Sequence, residues 1–181
     1  MPRFVVLLRG VNVGKGNRVP MSEFKSVLLC LGYADVITLL NSGNAVFSSS
    51  GSSATKHSQR IAAALAESMD VNVATVVMSS TEFAAAVAAN PITVPVGDHA
   101  KFLVAFANEG AALSGLKPLQ ALVQPPERFV IGQHAAYLYC AAGILESNAG
   151  AALLGKIGKS VTTRNWATTL KLLSLCGAGA A

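Results

Sequence analysis

The order of apolar and amphipathic segments in the first half of the chain is the strongest indication of its fold. Residues 4–8 are apolar and rich in β-branched side chains, which predicts a strand buried on both faces. A polar, glycine-rich segment at 10–18 has no periodicity, and residues 22–31 then follow a helical pattern that ends at Gly32. These segments predict a strand, a loop and a helix.

The next segments complete a recognisable motif. Two strand-like segments, 36–40 and 45–48, flank the polar residues 41–44, and this pattern is typical of a β-hairpin. A helical pattern at 58–69 and a strand-like segment at 71–78 follow. The resulting order βαββαβ is that of a ferredoxin-like fold.

The same pattern then begins again. Ser79 and Glu82 have the spacing of a capping box and predict the start of a connecting helix. A strand at 101–107, a short helix at 113–123 and a hairpin within 129–140 resemble the beginning of the first half. We therefore interpret the chain as a duplication.

The end of the second half departs from the pattern, because helical segments at 149–157 and 164–175 stand in place of a fourth strand. We predict an α+β fold of two ferredoxin-like (βαββαβ) halves, the second degenerate, with antiparallel sheets that carry helices on one face. The predicted divisions are residues 1–78 for the first half, 79–98 for the connecting helix and linker, and 99–181 for the second half with its C-terminal helices.

Composition excludes several classes of protein. Hydrophobic residues make up 52% of the chain, but no apolar run approaches the roughly 20 residues that a transmembrane helix needs. Arg9 interrupts the first apolar segment too early for a signal peptide. The three cysteines and three histidines are scattered, without the spacing of a disulfide framework or a metal site. We expect a cytoplasmic protein with no membrane partner and no metal.

Positive charge is concentrated at the two ends of the chain. Residues 1–25 contain five basic side chains against Glu23, and residues 147–181 contain four basic side chains and no acidic one. If the ends meet in space, their field favours a phosphate, a nucleotide or a nucleic acid. The alternative is an ordinary solvated surface.

The segment after the first strand is the strongest candidate for binding. It interleaves four cationic or amide side chains with three glycines: Arg9, Asn12, Lys15 and Asn17 with Gly10, Gly14 and Gly16. Backbone N–H groups and cations at a helix entrance suit an anion. The spacing is neither that of a Walker P-loop nor that of a dinucleotide-binding fingerprint. The alternative is a long turn whose glycines only supply positive φ.

Two further polar segments complete the candidate site. The first two strands of a βαββαβ sheet run in the same direction, so we expect Asn41, Ser42, Gly43 and Asn44 in the hairpin turn to approach the first loop. Thr162 or Thr163 is placed to cap a helix that begins at Arg164, and Arg164 and Asn165 then become candidate anion ligands. The alternative is that Trp166 belongs to a core-facing stripe and the other residues form a solvated face.

These segments, in this order, resemble the bacterial domain-of-unknown-function sixteen-ninety-seven family nearly end to end. The matching residues are Leu8, Arg9, Gly10, Asn12, Val13, Gly14, Pro20, Met21, Gly32, Ser42, Gly43, Asn44, Phe47, Thr163, Arg164, Asn165, Trp166 and Thr168. The family typically has a second glycine directly after Gly14, where this chain has Lys15 and then Gly16. The resemblance implies the fold and no established activity.

Binding is better supported than catalysis, because the three segments contain no histidine or cysteine and only Glu23 as a nearby acid. The leading hypothesis is a small protein that binds a nucleotide or another phosphate-bearing ligand in a basic cleft. Nucleic acid is less favoured, because only 6% of the residues are aromatic.

One alternative is an enzyme acting on a phosphorylated metabolite, with Arg9 and Arg164 holding charge and Glu23 as base. Another is a module whose motif residues only lock the two halves together. Catalytic residues, cofactor, ligand identity and oligomeric state stay open.

Overall fold

The structure, a computed structural model, describes residues 1–177, so the last four residues of the predicted second half lie outside it. Contacts divide the chain into two compact units. Of the described residues, the first unit contains Met1–Phe83 and residues 172–177, and the second contains Ala84–Lys171.

The first unit has the predicted βαββαβ order. Its elements are β1 (Arg3–Leu8), α1 (Met21–Cys30), β2 (Ala34–Leu39), β3 (Asn44–Ser48), α2 (Ala54–Met69) and β4 (Thr75–Ser79). The strands form one antiparallel sheet in the order β2-β3-β1-β4. This is the strand order of a ferredoxin-like fold, and it makes β1 and β2 run in the same direction.

Both helices of the first unit pack on one face of this sheet. Phe4, Val6 and Leu8 of β1 share a buried core with the apolar stripes of the two helices, which are Phe24 and Leu28 in α1 and Ile61 and Leu65 in α2. Each of these side chains contributes about 1.5–3 kcal/mol by leaving water. Every residue of β1 from Phe4 to Leu8 is buried, as the continuous apolar run predicts.

A histidine lies within this core. The ring of His57 is in edge contact with Phe4, Tyr33 and Phe47. Its Nε2 donates to the Gly51 carbonyl at 3.1 Å, and its Nδ1 shares a 3.0 Å hydrogen bond with the Tyr33 hydroxyl. Both ring nitrogens are therefore used in the interior, and His57 has a structural role.

The second unit repeats the sheet. Its elements are β5 (Phe102–Phe106), α4 (Gly110–Ser114), β6 (Arg128–Ile131), β7 (Ala136–Tyr139), α5 (Asn148–Leu154) and β8 (Thr162–Asn165). Two helices, α3 (Ser80–Ala88) and α6 (Trp166–Gly177), begin in one unit and end in the other. The strand order is β6-β7-β5-β8, again antiparallel throughout. The second unit departs from the first in its helices rather than in its sheet. The helix α4 has only five residues and is followed by a short 3-10 turn, whereas α1 has ten residues. At the start of α3, the Ser79 hydroxyl accepts from the Glu82 N–H, as the capping-box spacing predicts.

The prediction that the second half lacks a fourth strand is wrong. Residues 162–165 form β8, which pairs with β5 so that Thr162 lies opposite Phe106 and Asn165 opposite Leu103. The strand has four polar residues and no apolar alternation, so nothing in its pattern distinguishes it from a helix cap. Pairing with the buried strand β5 decides its conformation, and α6 consequently begins at Trp166 rather than at Arg164.

Among residues 1–177, no helix combines the length and the apolar character that crossing a membrane requires.

Candidate functional site

The loop after β1 and the β2–β3 turn meet at one end of the first sheet. The Leu8 N–H donates to the Gly43 carbonyl at 2.9 Å, and the side-chain amide of Asn12 donates to the Asn41 carbonyl at 2.7 Å. The parallel directions of β1 and β2 explain this approach, which the topology predicts. We define residues 9–18 as the basic loop and residues 40–44 as the hairpin turn.

Asn12 fixes the basic loop from within. Its Nδ2 also donates to the Val19 carbonyl at 2.8 Å, and its Oδ1 accepts from the Val19 N–H at 2.8 Å. The residue has a φ of 58°, in the left-handed region that asparagine tolerates better than most residues. With all of these bonds made to backbone groups, Asn12 holds the loop in shape.

The glycines let the basic loop close on itself. The Asn12 N–H donates to the Asn17 carbonyl at 2.8 Å, and the Gly16 N–H donates to the Val13 carbonyl at 2.9 Å. Gly14 has a φ of 53°, and a Cβ on Gly16 would lie 3.0 Å from two carbonyl oxygens. The glycine at 16 therefore completes the turn, and Lys15 is placed in its exposed part.

Two cations of the basic loop face solvent. Lys15 and Arg18 are exposed, and in the described part of the chain neither forms an ion pair. Arg18 Nη2 donates to the Gly14 carbonyl at 3.0 Å, which orients its guanidinium along the loop. Beside it lies an open depression of about 280 Å³ lined by Asn12, Arg18, Val19, Pro20 and Asn41.

The two ends of the basic loop differ in exposure. Asn17 is exposed. Arg9 is half-buried, and burial lowers the pKa of its guanidinium. Its backbone N–H donates to the Ala74 carbonyl at 2.9 Å, so the start of the loop is tied to the segment that enters β4.

The hairpin turn is built around Gly43. Its φ is 77°, and a Cβ at this position would lie 2.7 Å from the Cβ of Leu8. Asn44 is 0% exposed, and its Nδ2 donates at 3.0 Å both to the Leu39 carbonyl and to Ser42 Oγ. These residues bring the turn against β1, and the amide of Asn44 is engaged inside the protein.

Arg164 and Asn165 lie in the second unit, in β8. Arg164 is 7% exposed, and its Nη1 donates to Thr162 Oγ1 at 2.8 Å and to the Thr163 carbonyl at 2.7 Å. Burial lowers the pKa of its guanidinium to about 10. Asn165 Oδ1 accepts from the Thr168 N–H at 2.9 Å, so Asn165 takes the capping role that the sequence assigned to Thr162 or Thr163.

Two polar side chains besides Asn12 line the depression. Asn41 belongs to the polar turn that the sequence predicts near the first loop, whereas Arg18 is not among the ligands predicted from the sequence. The available signal was the position of Arg18 next to Asn17. Within residues 1–177, no cluster of three or more histidine, cysteine or acidic side chains is placed to hold a metal ion.

The structure is that of a protein of two ferredoxin-like units with an internally hydrogen-bonded basic loop at one end of the first sheet. The model of the family described as "Protein of unknown function (DUF1697)" matches residues 1–137, and the chain belongs to this family. The segment around Arg164 lies beyond the matched residues.

A solved structure supports the fold. It is described as that of the conserved bacterial protein SP0830 from Streptococcus pneumoniae, and it is 24% identical with a TM-score of 0.77. The similarity covers 97% of this chain and 98% of the other chain. No curated protein matches the chain significantly.

Proposed function

We propose that the basic loop and the hairpin turn bind an anionic ligand, and that nucleotides and other phosphate-bearing compounds are the first class to test. The observation that carries the proposal is the exposure of Lys15 and Arg18, without an ion-pair partner among the described residues, on a loop fixed by Asn12. A guanidinium and an ammonium on one loop can share the oxygens of a phosphate or carboxylate.

The hydrogen bonds within the loop support this proposal energetically. Ordering a flexible loop on binding costs about 0.5–1.5 kcal/mol for each immobilised side chain. Here the bonds of Asn12 and the Arg18–Gly14 hydrogen bond already order the backbone and one guanidinium before any ligand arrives. The ligand therefore meets a surface that is already arranged.

Binding is favoured over catalysis because the basic loop and hairpin turn contain no histidine, carboxylate or thiol. The same segments contain no aromatic side chain on which a nucleic-acid base would stack, which disfavours single-stranded nucleic acid as the ligand.

A second role is favoured for part of the motif. Asn12, Asn44 and Arg164 donate to groups inside the protein, and Asn44 and Arg164 are buried. We propose that these three residues stabilise their own units, and that Lys15 and Arg18 contact the ligand.

The test is a titration followed by two-dimensional amide NMR at low salt. We expect inorganic phosphate, AMP and ATP to shift the signals of residues 10–19 and 40–44 in a saturable way. Lys15→Ala combined with Arg18→Ala should weaken this binding at least tenfold, because both charges that face the ligand are lost.

The matched control is Lys56→Ala. Lys56 is also exposed, but α2 follows the far end of β3, so it lies at the opposite end of the sheet. It should leave the titration unchanged. If no anion shifts these signals at low salt, or if both variants weaken binding equally, the proposed function is wrong.

A further inference from the structure

Two aliphatic side chains accompany the cations on this surface. Val13 in the basic loop is 58% exposed, and Leu40 in the hairpin turn is 52% exposed. Each is one residue away from the Asn12–Asn41 hydrogen bond, and consecutive Cα atoms are about 3.8 Å apart. The two side chains therefore belong to the same end of the first unit as Lys15 and Arg18.

Leu40 is an unusual residue for its position. Its φ is 55°, in the left-handed region where glycine and asparagine are the favoured residues and a bulky side chain is uncommon. Burial of the side chain does not offset the strain of this backbone conformation, because the side chain of Leu40 is exposed. Strained residues of this kind concentrate where a protein contacts other molecules, so the conformation indicates a role for the exposed leucine.

We propose that this surface docks an acidic polypeptide segment that also carries aliphatic side chains. The segment's carboxylates contact Lys15 and Arg18, and its aliphatic groups cover Val13 and Leu40. The proposal rests on the anion site described above and names its partner class.

Charge and shape select this partner over others. A free phosphate would use the cations and leave both aliphatic side chains in water. A nucleic acid would find no aromatic residue in the basic loop or hairpin turn for stacking. A bilayer surface is usually bound through a long amphipathic helix with many basic residues, whereas this surface is made of two short loops.

The test uses two fluorescein-labelled synthetic peptides of equal length and charge, one alternating glutamate with leucine and the other alternating glutamate with alanine. Fluorescence anisotropy at low salt should show the leucine peptide binding roughly fivefold more tightly, because its side chains cover Val13 and Leu40. Val13→Ser combined with Leu40→Asn should remove this difference.

Loss of the fold is excluded by a second measurement on the same variants. Asparagine tolerates the left-handed conformation, so Leu40→Asn should melt at the same temperature as the parent protein or higher. The matched control is Leu29→Ser, which removes a leucine that is 50% exposed on α1 and should preserve the preference for leucine.

Equal binding of the two peptides would overturn the docking proposal, and so would a preference that survives in the Val13→Ser, Leu40→Asn variant. Dimerisation that this variant abolishes would identify a second copy as the occupant and also overturn it. In either case the proposed anion site is judged separately, by whether inorganic phosphate still shifts the signals of residues 10–19.

Discussion

The side-chain amide of Asn12 donates a 2.7 Å hydrogen bond to the carbonyl of Asn41, which lies 29 residues further along the chain. The bond joins the loop after β1 to the turn after β2, the two segments that the direction of these strands brings together. A single side chain thereby links the shape of the basic loop to that of the hairpin turn.

Asn12→Ala should therefore destabilise the first unit. The variant loses three hydrogen bonds and places alanine in the left-handed region, and we expect a loss of about 2–3 kcal/mol in the free energy of unfolding measured with urea. Asn17→Ala, at an exposed position of the same loop, should change it by less than about 0.5 kcal/mol. Equal effects of the two variants would show that the Asn12 bonds contribute little.

Gly43→Ala tests the close approach of the hairpin turn to β1. The new methyl group would overlap the Cβ of Leu8 and Cγ2 of Val11 in addition to adopting a positive φ, so we expect a loss of about 2–4 kcal/mol. Gly10→Ala separates the two effects, because Gly10 also has a positive φ but nothing lies within 4 Å of its added Cβ. That control should lose only about 1 kcal/mol; a similar loss in both variants would rule out the steric explanation.

Arg164→Ala distinguishes a structural arginine from a ligand-binding one. Removing the buried side chain leaves a cavity and removes the hydrogen bonds from Arg164 to Thr162 Oγ1 and to the Thr163 carbonyl, so we expect urea denaturation to show a loss of about 2–4 kcal/mol. Lys171→Ala, an exposed cation on α6, should have almost no effect. Unchanged stability together with lost phosphate binding would instead assign Arg164 to the ligand.

The sequence predicts the first unit well because its signals are local. The apolar run at 4–8, the helical spacing before Gly32 and the polar hairpin turn each agree with the conformation that the sheet requires. In the second unit, β8 has no such signal, since its polar residues are held in a strand by pairing with β5. Its conformation depends on tertiary contacts rather than on local propensity.

The candidate site, too, is predicted from the sequence only in part. Glycine and asparagine content identifies the basic loop and the hairpin turn as special, and strand direction predicts that they meet. Residue type alone cannot show which polar side chains face inward. An asparagine or arginine looks the same in the sequence whether its N–H groups donate to water or, as in Asn44 and Arg164, to the protein. Burial separates them from Lys15 and Arg18.

Acid should weaken the second unit through Asp98. The Tyr139 hydroxyl donates to Asp98 Oδ2 and the Lys101 ammonium lies 3.2 Å from Oδ1, and these hydrogen bonds lower the pKa of the carboxyl below its usual value. A carboxyl with a lowered pKa stabilises the folded state above the ordinary aspartate pKa of about 4 and loses that contribution as pH falls through the folded value. The melting temperature should consequently fall below pH 4.

Tyr139→Phe should make this acid-induced decrease smaller, because it removes the first cause of the lowered pKa. Melting curves recorded between pH 2 and pH 7 check the difference. In an Asp98→Asn background, Tyr139→Phe should have the same effect at every pH. If the effect of Tyr139→Phe on the melting temperature still varied with pH in that background, groups other than Asp98 would be responsible for the acid sensitivity.

Residues 172–177 of α6 belong to the first unit, although they are synthesised after the whole of the second. A ribosome releases Met1–Phe83 early, then the whole of Ala84–Lys171, and only afterwards the end of α6. The first unit therefore lacks the last turns of α6 until about ninety further codons have been translated. During that interval the nascent chain should be most sensitive to proteases and most dependent on chaperones.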